Sequence, residues 1–178
     1  MGTDALNMKI RNAVIEDIDE IMRLEQEAFI EEIQEERKVF LERIKVFPEG
    51  FFILEDETGN ISGYFSSELW NSYPESEESF KLGHSASSSH KKTGTVLYIS
   101  SIALGNSLRG KGMGTVFFEK CVEKIKETNN QLKGTVLIVN EKWEKARHIY
   151  KKFGYSEYKT LEMFFPDGNG ILMKKMFE

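Results

Sequence analysis

A glycine-rich segment with two basic side chains is the part of this sequence best suited to bind phosphate. It runs from Gly105 to Gly114 and contains Arg109 and Lys111. It follows an apolar run typical of a strand and leads into a helical pattern. Backbone N–H groups at the start of a helix are free to bind anions, and glycine lets a phosphate approach closely. The segment therefore predicts a site for a phosphorylated ligand.

Two familiar nucleotide-binding patterns fit this segment only in part. The P-loop pattern, Gly-x-x-x-x-Gly-Lys-Ser/Thr, fits from Gly105 to Lys111, but Gly112 stands where a hydroxyl should hold Mg²⁺. The dinucleotide fingerprint needs Gly-x-Gly-x-x-Gly and an acidic residue after the next strand. Here Gly114 comes one residue early and Asn140 replaces the acid. A glycine-rich turn without a ligand is the simplest alternative.

Residues 109–114 resemble the acetyl-CoA motif of the GNAT N-acetyltransferases, Gln/Arg-x-x-Gly-x-Gly/Ala, at every specified position. A second likeness follows Asn140, where the run Ala146-x-x-Ile-Tyr150-x-x-x-Gly-Tyr155 is similar to the family's Ala-x-x-Leu-Tyr-x-x-x-Gly-Phe. The two motifs are spaced as the family's strand-helix-strand unit requires. Together they indicate a member of this family.

The resemblance implies that acetyl-CoA is the co-substrate. No metal is expected, because the three histidines and the single cysteine do not have metal-ligand spacing. In this family the pantetheine arm lies between two splayed parallel strands, and the pyrophosphate rests on the glycine-rich loop. Many members carry an asparagine where this chain has Trp143, which implies stacking on the cofactor instead. The implied cofactor contacts are Ile102, Ala103, Leu104, Arg109, Gly110, Lys111, Gly112, Met113, Gly114, Asn140, Trp143, Ala146 and Tyr150.

The resemblance also implies direct attack of an amine on the thioester, without a covalent enzyme intermediate. Tyr150 would be the general acid towards the leaving thiolate, because a phenol with a pKa of about 10 is a suitable donor. The Leu104 N–H would stabilise the oxyanion. Many members carry a glutamate in the middle of the first motif strand, but this chain has none there. Ser100 and Tyr98 would instead order the water that removes the amine's proton.

Residues 83–114 are more weakly similar to arylalkylamine N-acetyltransferases, in which two strand histidines serve a proton wire. Ser100 and Tyr98 stand at those two positions. His84 lies upstream in a polar segment and is expected to be a solvated loop residue. The family's substrate wall makes Glu25 and Glu27 of the first helix candidates for the acceptor pocket. The acceptor is then a small-molecule amine or a protein amine.

The elements that position these residues predict a mixed α/β sheet. Strands are expected at residues 8–13, 51–55, 61–70, 95–104, 136–139, 155–164 and 170–177, and helices from residue 15 and at 31–46, 113–127 and 141–153. With the resemblance, these imply the GNAT-type fold: a mostly antiparallel sheet of about seven strands with a splayed parallel pair, flanked by about four helices. Residues 8–178 are expected to form a single domain. Residues 1–7 are interpreted as a leader or a disordered N-terminus.

Composition argues against several other classes of protein. The single cysteine, Cys121, allows no intrachain disulfide, which is typical of a cytoplasmic protein. No apolar run approaches the ~18–20 residues of a membrane span. The net charge of −5 disfavours nucleic acid as a partner. We expect a monomer or homodimer that is an N-acetyltransferase, with a non-catalytic acyl-CoA sensor or a phosphate-binding NTPase domain as the alternatives.

Overall fold

Seven strands and five helices make up the computed structural model, which describes residues 8–178. The strands are β1 (Lys9–Asn12), β2 (Phe52–Glu55), β3 (Ile61–Trp70), β4 (Val96–Leu104), β5 (Gly134–Asn140), β6 (Ser156–Phe165) and β7 (Gly168–Met176). The helices are α1 (Ile18–Ala28), α2 (Arg37–Val46), α3 (Ala86–Ser89), α4 (Met113–Thr128) and α5 (Glu144–Lys152). The prediction for residues 1–7 lies outside the described residues.

The strands form one mixed sheet in the order β1-β2-β3-β4-β5-β7-β6, in which β4 and β5 are the parallel pair. Their pairing covers only three positions and ends at Tyr98 opposite Val136. Two residues further on, Ser100 is an extra residue in β4, since Ser101 pairs with Ser66 and Ile99 with Ser67. Such a bulge bends the strand that carries it. Beyond this point β4 and β5 lie apart, as the predicted splayed pair requires.

The two faces of the sheet are covered by different helices. On one face α4 buries Phe117, Cys121 and Ile125 against β4 and β5, and each of these side chains is at most 1% exposed. Their four-residue spacing places them on one stripe of the helix, as predicted. On the other face α1 and α2 pack on Tyr64 and Ala103. None of the helices within residues 8–178 is both long and apolar enough to cross a membrane.

Three helix starts differ from the prediction. The first helix, expected from residue 15, begins at Ile18, because Ile15–Asp17 forms a 3₁₀ turn. The helix expected over 31–46 begins only at Arg37, because Glu31–Ile33 forms a 3₁₀ turn and the Glu35 N–H bonds to the Glu25 carboxylate instead of a helical carbonyl. The last helix begins at Glu144 rather than residue 141. There the Asn140 side chain accepts a hydrogen bond from the Lys142 N–H at 3.0 Å and forms a turn.

Candidate active site

A cavity of about 740 Å³ opens where β4 and β5 separate. Its walls come from the bulged part of β4, the middle of β5, one side of α5 and the tip of the β6–β7 hairpin. Residues from α1, α2 and the polar segment before β4 close its other end. The gap between the parallel strands is therefore continuous with a pocket that side chains far apart in sequence enclose.

The glycine-rich segment exposes its backbone at Gly110 and Gly112. Gly110 and Gly112 have φ values of 77° and 74°, and an added Cβ at either position would meet nothing within 4 Å. Residues 109–112 are all exposed, and α4 begins directly after them. Met113, by contrast, buries its side chain in the core and presents only its backbone. The arrangement suits an anion that is bound by main-chain N–H groups at a helix start.

The backbone of β4 directs alternate residues towards the gap. The Gly105 N–H donates to the Ser62 carbonyl at 2.8 Å, so Gly105 faces β3. Because alternation holds along a strand, Leu104 and Ile102 direct their N–H and C=O groups to the other side, where β5 no longer pairs. The Leu104 carbonyl indeed accepts a hydrogen bond from Arg109 Nε at 3.3 Å. Ala103 faces β3 and buries its methyl group, so it does not reach the gap.

Three residues of the second motif line the cavity, namely Trp143, Ala146 and Tyr150. The Tyr150 ring packs on Phe118 with centroids 5.4 Å apart. Burial raises the pKa of Tyr150 to about 12. The phenol is therefore protonated at neutral pH and able to donate a hydrogen bond or a proton.

A cluster of buried charges lies at the part of the cavity formed by α1, α2 and the segment before β4. Its carboxylates are Glu25, Glu35 and Glu68, and its cations are Arg43 and His84. Arg43 Nη2 lies 3.0 Å from Glu35 Oε2, and His84 Nε2 lies 2.7 Å from Glu68 Oε2. Among residues 8–178, no such cation lies within bonding distance of Glu25, which accepts hydrogen bonds from the Tyr64 hydroxyl and the Glu35 N–H.

A model of the GNAT acetyltransferase family matches residues 18–155 of the chain. The chain belongs to the GNAT family of acetyltransferases. This assignment makes it an enzyme of that class, and it shows that the P-loop and dinucleotide-binding alternatives are wrong. The predicted fold, with its parallel splayed pair within a mostly antiparallel sheet, is confirmed.

Two relatives cover nearly the whole of this GNAT chain. The N-alpha-acetyltransferase of Sulfolobus acidocaldarius is 30% identical over 164 residues, which is 92% of this chain and 88% of that protein. The N-alpha-acetyltransferase of Sulfurisphaera tokodaii is 28% identical over 163 residues, 90% and 87% of the two chains.

Solved structures share the fold at lower sequence identity. The loading GNATL domain of CurA from Lyngbya majuscula superposes with a TM-score of 0.79 at 16% identity, over 95% of this chain and 97% of that one. Arabidopsis thaliana Naa50 in complex with the bisubstrate analogue CoA-Ac-MVNAL gives 0.72 at 16% identity, over 96% and 99%.

Within this GNAT fold, Asn140 supports the site from outside the cavity. Its Nδ2 donates to Asp167 Oδ1 at 2.7 Å and its Oδ1 accepts from the Lys142 N–H. The side chain is 1% exposed and does not line the cavity. It ties the start of α5 to the β6–β7 turn, so its hydrogen-bonding atoms are not placed for the predicted cofactor contact.

His84 does not lie where the sequence suggested. The expectation that His84 is a solvated loop residue is wrong, since its side chain is 11% exposed and paired with Glu68. Burial alone would lower the pKa of His84, but the hydrogen bond and the charge of Glu68 outweigh it and raise the pKa. His84 Nδ1 also faces the Lys81 carbonyl at 3.0 Å. Both ring nitrogens thus face acceptors, which the doubly protonated ring satisfies.

The two residues predicted to order water both line the cavity. Tyr98 stacks on Trp70 with ring centroids 4.1 Å apart, and Ser100 shares a hydrogen bond of 2.6 Å with Ser66. Of the two acceptor-pocket candidates on α1, Glu25 lines the cavity. Glu27 does not, because it points to solvent and pairs with Arg23.

One feature of the sequence does indicate the buried charges. In the middle of β3, Ser66, Ser67 and Glu68 are three consecutive polar residues between apolar neighbours, and all three are buried. Buried polar side chains need partners, so such a run indicates a polar site beside the strand. Within residues 8–178, no group of three or more His, Cys, Asp or Glu side chains is placed to hold a metal ion.

Proposed function

We propose that the protein transfers the acetyl group of acetyl-CoA to the N-terminal α-amine of a peptide or protein. The observation that carries this proposal is the 30% identity, over 92% of the chain, to a relative named N-alpha-acetyltransferase. The cavity supports it, because it opens where β4 and β5 separate and has buried carboxylates in its wall. A small-molecule amine is the alternative acceptor.

The cofactor is expected to lie along the gap. Residues 109–114 would bind the pyrophosphate through their backbone amides, with Arg109 and Lys111 adding positive charge. Ile102 and Leu104 would pair with the pantetheine arm, since their backbone groups face the open side of β4. Trp143 and Ala146 would flank the thioester end from α5. Asn140 would act by fixing the start of that helix.

The chemistry then needs an oxyanion donor and an acid. The Leu104 N–H would stabilise the negative charge that develops on the acetyl oxygen. Tyr150 would donate to the leaving thiolate, and its ring is already held against Phe118. Ser100 and Tyr98 remain candidates for ordering a water molecule that accepts the amine's proton.

The buried charge cluster of the cavity favours a positively charged acceptor. The buried cluster has three carboxylates but only two cationic side chains, Arg43 and His84. The positive charge of an arriving ammonium would neutralise the remaining carboxylate. An α-amine suits the reaction at neutral pH, because its pKa of about 8 leaves a far larger neutral fraction than the value of about 10.4 for lysine. The lower pKa of the α-amine therefore favours N-terminal over side-chain amines as acceptors.

Calorimetry and turnover together test the proposal. We expect the purified protein to bind acetyl-CoA and to release CoA with a peptide that has a free N-terminus. At pH 7 that rate should exceed, by about tenfold or more, the rate for the same peptide with a blocked N-terminus and an internal lysine. Faster turnover with small amines would favour the alternative acceptor. Binding without CoA release from any amine would favour the non-catalytic sensor.

A further inference from the structure

The Glu25 carboxylate ends a chain of three hydrogen-bonded side chains that begins at the cavity wall. Ser101, which lines the cavity, has its Oγ 2.5 Å from the Tyr64 hydroxyl oxygen. The Tyr64 hydroxyl in turn bonds to Glu25 Oε1. Tyr64 and Glu25 are 0% and 3% exposed. The chain therefore joins a residue on the bulged part of β4 to a buried carboxylate on α1.

The hydrogen bonds of this chain have a defined direction. An ionised carboxylate only accepts, so Tyr64 must give its single proton to Glu25. The Tyr64 oxygen then accepts from Ser101, which uses the only proton of that hydroxyl. Ser101 Oγ consequently presents lone pairs to the cavity. An N–H group is the complement of that surface.

Glu25 differs from the other two buried carboxylates in its partners. Glu35 accepts from Arg43 and Glu68 accepts from His84, so each of these is matched by a cation. Glu25 is held by the neutral Tyr64 hydroxyl and by the Glu35 N–H at 2.8 Å. A carboxylate without a bonded cation takes up a proton more readily than one that must break an ion pair.

We propose that Ser101, Tyr64 and Glu25 form a proton relay that moves a proton from the acceptor's ammonium to Glu25, a role that rests on the proposed acetyl transfer to an amine. Ser101 is the residue that touches the acceptor. Tyr64 and Glu25 act through it. The relay supplies the proton acceptor for which β4 itself offers no carboxylate.

The step balances without any further reactant. One ammonium N–H bond breaks and its proton bonds to Ser101 Oγ, while the Ser101 proton moves to Tyr64 and the Tyr64 proton to Glu25. The neutral amine forms the C–N bond to the acetyl carbon, and the C–S bond breaks. A second amine proton passes through Tyr150 to the thiolate, and the third stays on the amide. Glu25 then releases its proton to water.

The electrostatic surroundings of Glu25 agree with this role. Burial raises the pKa of Glu25 although its hydrogen bonds and Arg43 oppose that rise. A base whose pKa lies nearer to neutral pH is the better acceptor. Burial also raises the pKa of Tyr64 well above its usual value, so that phenol relays protons and stays neutral. The charged or titratable groups around Glu25 are Glu35, Arg43, Tyr64, Tyr98 and the Glu68–His84 pair.

Three substitutions test the relay, each with peptide acetylation measured from pH 6 to pH 10. Glu25→Gln removes the proton acceptor and keeps a carbonyl for the Glu35 N–H. Tyr64→Phe breaks the middle of the chain, and Ser101→Ala removes its cavity end. At pH 7 we expect each to lower kcat about a hundredfold or more, with acetyl-CoA Kd within twofold. The rate of each variant should recover as rising pH makes the free amine neutral.

Two matched variants control for the loss of a phenol or a carboxylate. Tyr158→Phe removes a hydroxyl that bonds to the Pro74 carbonyl at 2.9 Å, and Glu55→Gln removes a charge paired with Arg11 on β1. Neither residue lines the cavity. Both variants should keep the wild-type rate and pH profile. Thermal unfolding of every variant shows whether the fold is kept, and Ser101→Ala, which leaves the buried charges in place, decides alone if Glu25→Gln does not fold.

The outcomes separate the relay from the proposed function. Wild-type rates at pH 7 in all three relay variants would overturn the relay. An equal loss at every pH, without recovery, would also overturn it in favour of a structural role. If the wild-type protein binds acetyl-CoA but acetylates no amine, the proposed function fails and the relay fails with it. Loss at pH 7 with recovery at high pH supports both.

Discussion

Replacing Tyr150 by phenylalanine removes one oxygen atom from the cavity wall and leaves the ring that packs on Phe118. If the hydroxyl donates to the leaving thiolate, kcat should fall by about 10²–10⁴-fold. The acetyl-CoA Kd should change little, since the ring contacts remain. Because the pKa of Tyr150 is raised to about 12, the hydroxyl stays protonated up to pH 10. A loss of activity below pH 10 should therefore not come from deprotonation of Tyr150.

Steady-state kinetics and calorimetry on Tyr150→Phe measure these two quantities separately. The matched variant is Tyr158→Phe, which deletes a phenolic oxygen outside the cavity. An unchanged kcat in Tyr150→Phe would show that another group, or water, protonates the thiolate.

The His84–Glu68 ion pair predicts a pH-dependent stability. The pKa of His84 is raised on folding, so its contribution is complete below its unfolded value of about 6.5 and is lost as pH rises through the folded value. The pKa of Glu68 is lowered despite burial, because His84 and Ser89 bond to it, so its contribution is lost as pH falls through the folded value. The pair should stabilise the fold most between the unfolded values of the two groups, about 4.3 for glutamate and about 6.5 for histidine.

Chemical denaturation of wild type and His84→Gln over pH 4 to 9 checks this prediction. Near pH 6 the variant should be less stable by about 3 kcal/mol, because Glu68 is then buried without its cation. The difference should shrink as pH rises above the folded pKa of His84. A constant difference across the range would mean that His84 contributes by packing against Trp70 and Tyr98 alone.

Individual residues differed in how far the sequence revealed them. The position of Tyr150 on the cavity wall and the exposed turn at Gly110 and Gly112 could be predicted, because each lies in a motif with fixed spacing. Glu25, Glu35 and Glu68 could not be brought together in advance, since they belong to α1, the loop before α2, and β3. Their contacts depend on how those elements pack. His84 was misplaced for the same reason, because its partner lies sixteen positions earlier on a different element.

At the scale of elements, a substitution in the loop before α4 can be compared with a matched substitution in the β2–β3 turn. Gly112 and Gly59 both have positive φ, 74° and 84°, and open space where a Cβ would stand. Alanine at either position should cost about 1 kcal/mol of stability, because the left-handed conformation is strained for residues with a side chain. Only Gly112→Ala should weaken acetyl-CoA binding, by about tenfold, since its methyl group would cover the amides.

Denaturant unfolding gives the two stability changes, and calorimetry gives the two affinities. Gly59 lies in the β2–β3 turn, far in sequence from the loop that begins at Gly105. Equal affinities in both variants would show that the amides around Gly112 do not bind the cofactor. A loss of affinity in both would point to a general effect on the fold.

The elements themselves were mostly predictable, with two physical limits. The apolar run of β5 and the four-residue stripe of α4 reflect burial that any packing of these segments must satisfy. The bulge at Ser100 left no local trace, because a bulge exists only relative to the register of the partner strand, here β3. α2 starts late because the Glu35 N–H donates to the carboxylate of Glu25, which lies on α1. Both features are needed for the site, and both are set by tertiary contacts.

For the whole molecule, the distribution of charge predicts how salt affects the encounter with the peptide acceptor. The chain carries a net charge of −5, and Glu32 and Glu77 are exposed on the cavity wall. A peptide with basic residues should therefore be attracted towards the acceptor end over a distance set by screening, about 30 Å at 0.01 M salt and about 10 Å at 0.1 M. We expect kcat/KM for a basic peptide to fall several-fold over this range, and for an uncharged peptide sequence to change less.

Glu32→Gln combined with Glu77→Gln should remove much of this salt dependence, while Glu123→Gln on the exposed side of α4 should not. Initial rates at subsaturating peptide, with acetyl-CoA saturating, isolate the acceptor's encounter from cofactor binding. Equal salt dependence for basic and uncharged peptides would mean that the carboxylates of Glu32 and Glu77 do not attract the acceptor. In that case the buried cluster, which salt screens far less, would be the only electrostatic selection that the acceptor meets.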